Sequence, residues 1–177
     1  MKEVVLITGG MRSGKSRFAE EYALKRSSSP IYLATGVAVD EEFARRIAYH
    51  RSERDGRFAT VEETKDVVGV VSGFHQAQVI VFECVTTWLA NLFHERNWQF
   101  TVEDEKWLKM EVVRLVEGVK DGNHTLIVVT NEIGLGVVPA DEVSRRYVEV
   151  LGRCNQWLAQ RADEVYFLVS GIPWRLK

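Results

Sequence analysis

Gly9, Gly14, Lys15 and Ser16 satisfy G-x-x-x-x-G-K-S over residues 9–16, a spacing whose chemistry is the cradling of a polyphosphate. Gly9, Gly10 and Gly14 carry no Cβ, so the backbone can take positive φ there and turn its amides, with those of Met11, Arg12 and Ser13, onto one anion. Lys15 then supplies a cation for the β and γ phosphates, and the Ser16 hydroxyl is placed to ligate Mg²⁺. A second candidate ligand is Glu83, the carboxylate that ends the apolar run Val79-Ile80-Val81-Phe82. An acid at the carboxyl end of a strand beside a phosphate loop holds Mg²⁺ or its water shell. The plain alternatives are a glycine-rich connector and a buried strand that ends in an acid for other reasons. Four apolar residues precede Thr8 and a helical pattern follows Lys15, so the reading as a nucleoside triphosphate site is favoured.

Further candidates lie downstream. Ala34, Thr35 and Gly36 close a short apolar segment at residues 31–34, and ligands of open α/β sheets bind at such carboxyl ends. In the helical pattern of residues 40–54, Arg46, His50 and Arg54 are spaced by four on one face, either solvated surface or an anion site. Helix geometry alone favours surface. Glu62 ends a short segment at residues 58–62 and has no evident partner.

These residues need a scaffold of alternating strands and helices. Strands are predicted at residues 4–8, 31–34, 58–62, 78–83, 125–130 and 164–169, and helices at 15–25, 40–54, 64–73, 85–93, 102–119 and 140–162. Residues 97–100 read as a loop, residues 131–139 as a glycine-containing loop over the active edge, and residues from 170 as a tail. On the long last helix, Val143, Tyr147, Val150, Leu151, Cys154 and Leu158 form the apolar face, and Arg145, Arg146, Arg153 and Asn155 the other. The alternation implies one α/β domain over residues 1–177, with a mostly parallel, doubly wound sheet and helices on both faces.

Composition sets the outer bounds. A net charge of −2 and a pI near 6.1 make no broad electrostatic case for nucleic acid or an anionic membrane. Cys84 and Cys154 have no metal spacing and suggest no disulfide framework, which fits a reducing compartment. No leader pattern and no stretch of membrane-spanning length is seen, so a cytoplasmic protein is expected.

Several stretches together resemble one family, the bifunctional adenosylcobinamide kinase and adenosylcobinamide-phosphate guanylyltransferase of cobalamin biosynthesis. They are Thr8-Gly9-Gly10-Met11-Arg12-Ser13-Gly14-Lys15-Ser16-Arg17, Tyr32-Leu33-Ala34-Thr35, Arg46-Ile47-Ala48-Tyr49-His50-Arg51, Glu83-Cys84-Val85-Thr86-Thr87, Val129-Thr130-Asn131-Glu132-Ile133-Gly134, Gly136-Val137-Val138-Pro139 and Gly152-Arg153-Cys154-Asn155-Gln156. The resemblance spans nearly the whole chain and implies a phosphate-loop NTPase-like fold. It implies that ATP or GTP phosphorylates the aminopropanol hydroxyl of adenosylcobinamide, with Lys15, Ser16, Mg²⁺ and Glu83 neutralising charge. It also implies that His50 accepts GMP from GTP, which outweighs the surface reading. Ala34, Thr35, Gly36, Arg51, Ser52, Glu53, Arg54, Glu62 and Glu83 would contact guanine nucleotide, the two reactions would share the site, and the assembly would be a homotrimer. Met11 departs from the smaller residue usual in the family. The competing readings are a phosphate-loop kinase for another small alcohol and a GTP-binding regulatory module.

Overall fold

The computed structural model describes residues 2–37, 41–54 and 56–177, apart from the side chains of Phe43, Arg46, Ile47, His50, Glu53 and Arg54. The first strand, β1 (Glu3–Gly9), is apolar on both faces and buried from Val4 onward, the pattern of a central parallel strand. Helix α1 (Lys15–Leu24) follows the loop, then β2 (Ile31–Ala34), α2 (Glu41–Arg54), β3 (Ala59–Glu62) and α3 (Val67–Ser72). Next come β4 (Val79–Glu83), α4 (Val85–Glu95), α5 (Val102–Asp121) and β5 (Thr125–Val129). A 3-10 turn at Ile133–Leu135, α6 (Glu142–Arg161), β6 (Glu164–Val169) and β7 (Ile172–Arg175) complete the chain.

The described strands form one seven-stranded sheet in the order β3-β2-β4-β5-β1-β6-β7, parallel except for the β6/β7 pair. Alternate residues serve opposite faces, as the pleat requires. Val5, Ile7, Tyr32, Val81, Ile127 and Val129 pack with Ala19, Tyr22 and Ala23 of α1. Val4, Leu6, Leu33, Ile80, Phe82, Leu126 and Val128 share the other cluster with residues of α3, α4, α5 and α6. The expected α/β architecture with helices on both faces is what the chain adopts.

Local signals set the long helices. Thr101 and Asp104 form a reciprocal capping box at the start of α5, where Glu103, Asp104 and Glu105 oppose the positive end of the dipole. Asp141 caps α6 through the Ser144 amide. The two helices run side by side, pinned by Glu105, which pairs with Arg146 at 2.9 Å and with Arg153.

Two expectations are corrected. The segment after residue 170 is a strand, because Ser170 and Gly171 both take positive φ (51° and 81°) in the two-residue turn that matches strand twist. Asn155 does not lie on the polar face of α6: it is buried, accepting from the Thr130 hydroxyl at 2.7 Å and donating to the Asn131 carbonyl at 3.1 Å.

At the opposite end of the sheet, His124 is completely buried, and its Nδ1 accepts the Gln78 amide at 3.0 Å. Burial pushes its pKa below the ordinary histidine value, against a weaker opposing effect of the Val71 backbone. A protonated Nδ1 could not accept from Gln78. The unfolded chain takes up a proton near pH 6.5 that the folded chain refuses, so stability is full above that pH and falls as pH drops below it. We expect the melting temperature to fall between pH 6.5 and pH 5 by about 2–4 °C for each kcal/mol lost. A His124→Gln variant should flatten that part of a calorimetric pH series; an unchanged slope would assign the loss to other groups.

Candidate nucleotide-binding site

The phosphate loop is shaped by three left-handed or near-left-handed positions: Gly9 at φ 155°, Arg12 at 58° and Gly14 at 94°. Glycine is required at position 9, since a Cβ there would meet the Leu168 carbonyl at 2.6 Å. Gly14 lies against Gly171, which donates its amide to the Ser13 carbonyl at 2.8 Å. The β6/β7 turn thus buttresses the loop from below. Gly10, Met11 and Arg12 are exposed, and Met11 projects to solvent, so the loop's amides are not obstructed by its larger side chain.

Lys15 is only 7% exposed, and its ammonium donates to the Gly10 carbonyl and the Ser13 hydroxyl, inside the loop. Burial lowers its pKa, while Glu83 and Cys84 act in the opposite sense. The Ser16 hydroxyl donates to Glu83 Oε1 at 3.0 Å, although the two residues lie on different elements. Lys15, Ser16 and Glu83 therefore converge at one end of β1 and β4. Among the described residues no three His, Cys, Asp or Glu side chains cluster as a metal site. The Ser16–Glu83 pair fits Mg²⁺, which takes one or two protein oxygens and completes its shell with phosphate and water.

Strand register lays out the remaining candidates. Glu62, Ala34, Glu83, Val129 and Ile7 are successive partners across β3, β2, β4, β5 and β1. All sequence-predicted residues on strands therefore share the carboxyl edge. They do not share one spot. β3 stands four strand spacings from β1, about 19 Å at about 4.8 Å each, and there Glu62 pairs with Arg51 of α2 at 3.2 Å. Ser52 is exposed and its hydroxyl donates to the Tyr49 carbonyl at 2.8 Å. The backbones of His50, Glu53 and Arg54 lie in α2, while their side chains lie outside the described residues. The predicted nucleotide contacts fall into one group at the loop and another at the sheet's far side.

Thr35 needs a different account from the one its position suggests. Its side chain is fully buried, and its hydroxyl meets the Glu83 carbonyl, the Cys84 amide and carbonyl, and Thr87 at 2.6–3.1 Å. It fastens the end of β2 to the end of β4 and so positions Glu83; its hydroxyl does not face the cleft. Ala34 is half-buried and Gly36 exposed beside it. Sequence reasoning also missed a supporting layer behind the site. Thr86 accepts the Asn131 amide at 3.1 Å, Tyr147 donates to the Thr86 carbonyl at 2.6 Å, and Asn91 ties the Thr35 and Thr64 carbonyls together. The paired threonines Thr86 and Thr87, three and four residues after the β4 acid, were the one local signal for it.

A strand, a phosphate loop and a helix, with a carboxylate from β4, two strands along the sheet, on the motif's serine, define a phosphate-loop nucleotide-binding protein. The RadB recombinase crystal structure shares the fold, with a TM-score of 0.52 and 16% identity over 94% of this chain and 74% of that one. The family model described as cobinamide kinase / cobinamide phosphate guanyltransferase matches residues 5–176, and the chain belongs to that family. It is 39% identical to the bifunctional adenosylcobalamin biosynthesis protein CobP of Pseudomonas aeruginosa, over 97% of this chain and 96% of the relative. It is 34% and 32% identical to the bifunctional adenosylcobalamin biosynthesis proteins CobU of Escherichia coli and Salmonella typhimurium, over 98% of this chain and 99% of each. The chain is accordingly a transferase of cobalamin biosynthesis.

Proposed function

We propose that the protein carries out two successive transfers on one corrinoid. In the first, ATP or GTP is held by the loop amides, and the aminopropanol hydroxyl of adenosylcobinamide attacks the γ-phosphorus. The bond to the β-phosphate oxygen breaks, a nucleoside diphosphate leaves, and the hydroxyl proton passes to solvent. Lys15 offsets charge on the transferred group, and Ser16 and Glu83 would hold Mg²⁺, which supplies further neutralisation of the phosphates. In the second, an imidazole nitrogen of His50 attacks the α-phosphorus of GTP and pyrophosphate leaves. An oxygen of adenosylcobinamide phosphate then attacks the guanylyl phosphorus, the P–N bond breaks, and adenosylcobinamide-GDP forms. Arg51, Ser52, Glu53, Arg54 and Glu62 serve the guanine nucleotide at the far side of the sheet, with Ala34, Thr35 and Gly36 lining the edge between.

The observation that carries this reading is the convergence of Lys15, Ser16 and Glu83 on one strand edge, in a chain matched over residues 5–176 by the kinase and guanyltransferase family model. No described helix is long and apolar enough to cross a membrane, and we place the protein in the cytoplasm. We also propose a homotrimer; a monomeric mass at working concentration would refute it. The function is tested by supplying adenosylcobinamide with Mg²⁺ and ATP, then GTP, and following the corrinoid by chromatography and mass. A corrinoid heavier by one phosphate, converted on GTP addition to the GDP derivative with release of pyrophosphate, is expected. Nucleotide binding with neither product would return the chain to a kinase of another alcohol or a GTP-binding module.

A further inference from the structure

Beyond the nucleotide residues, the same end of the fold carries a cavity of about 630 Å³ between the α4–α5 loop and the first turns of α6. That volume lies within the range of ordinary small-molecule sites. Trp98 and Val102 line it from one side and Val143 from the other, at 44%, 59% and 43% exposure. Three large apolar side chains from two segments thus surround one opening. Trp98 is held outward by a left-handed backbone, at φ 61°. For a residue of this bulk that conformation is uncommon.

The charges around the cavity select its ligand. Arg145 donates to the Pro139 and Ala140 carbonyls, and Arg146 to the Phe100 and Thr101 carbonyls and to Glu105. Both guanidinium groups are engaged by the protein, which disfavours a phosphate here. The rim instead offers Glu142 and Glu149, the latter held by Arg153 only at 3.6 Å. An apolar cleft with charges of both signs at its rim suits a broad organic ligand with flat faces and amide edges. A cobalt corrinoid has those properties.

The cleft is also joined to the phosphate loop by backbone. Glu132 donates its amide to the Gly9 carbonyl at 3.0 Å, and the segment that begins there runs through the 3-10 turn, which packs on α6, to Pro139 and the Arg145 guanidinium. On that path Leu135, Val137 and Val138 are exposed. We propose that the cleft seats the macrocycle of the cobinamide substrate, with its aminopropanol arm lying along residues 132–139 toward Lys15. This rests on the function proposed above.

The experiment is a steady-state comparison of the full chain with Val143→Asp and Trp98→Asn, using adenosylcobinamide and ATP as the varied substrates. Aspartate in the first turn of α6 is compatible with the helix dipole, and asparagine tolerates the left-handed backbone, so both variants should fold. The KM for adenosylcobinamide should rise about tenfold as the stacking and apolar contacts are lost, while the KM for ATP stays unchanged. A corrinoid KM within about twofold of the parent in both variants, or an equal rise for ATP, would overturn the assignment and leave the function standing. A parent protein that does not turn over adenosylcobinamide at all would remove both.

Discussion

Incubation with GTP labelled at the α phosphate is expected to leave a GMP-sized, acid-labile adduct on the parent protein and none on a His50→Ala variant. A neutral imidazole is a capable nucleophile near pH 7, and its phosphoramidate breaks readily in acid, unlike a serine or threonine phosphodiester. His50 belongs to α2, and the next residue, Arg51, pairs with Glu62 at the end of β3. That pair is four strands from β1, so removing the imidazole should leave phosphorylation of adenosylcobinamide within about twofold of the parent. Denaturing electrophoresis and intact mass read the adduct, and product chromatography reads the kinase step. An adduct that survives the exchange would move the nucleophile to another residue. No adduct on either protein would remove the guanylyltransferase half. Loss of adduct and phosphorylation together would show that the two steps are not separable in the way the sheet suggests.

Lys15→Met should act in the opposite sense, lowering kcat for phosphorylation about 10²–10³-fold, as removal of a preorganised charge at a transferring group does. The fold should not suffer. Lys15 is buried with a pKa lowered chiefly by desolvation, so its charge is a cost to the folded state that an apolar side chain of similar length relieves. A melting temperature equal to or above the parent's, beside collapsed phosphorylation, is the expected pair of results. A melting temperature that fell in step with activity would instead make Lys15 a structural residue of the loop. Lys15→Arg should not restore the rate, because a planar fork does not fit where a compact ammonium lies between Gly10 and Ser13.

What was legible in the sequence was local. The phosphate loop declares itself because strand, glycines, lysine and helix are contiguous, and Glu83 because an acid ends an apolar run; the Ser16–Glu83 contact at 3.0 Å joins the two. The fastening role of Thr35 was hidden because its environment is made by β4, far along the chain: position at a strand end suggested a ligand contact, and nothing local announced the burial of its side chain against Cys84 and Thr87. Asn155 sits among arginines in the helical pattern, and only the tertiary fold reveals Thr130 and Asn131 waiting for its amide. The partner of Glu62 was hidden for the same reason, since Arg51 comes from the preceding helix. The cleft between Trp98 and Val143 has no signature at all in one dimension, because its two walls belong to distant segments.

The hydrogen bond from Gly171 to Ser13 gives the last strand a share in the mould that grips the phosphates. β7 is exposed along its whole length and adds little to the core, so injury to it would barely register in a melting curve. Its trace would show in how firmly a triphosphate is held, as though a remote clasp had been loosened while the casing stayed shut.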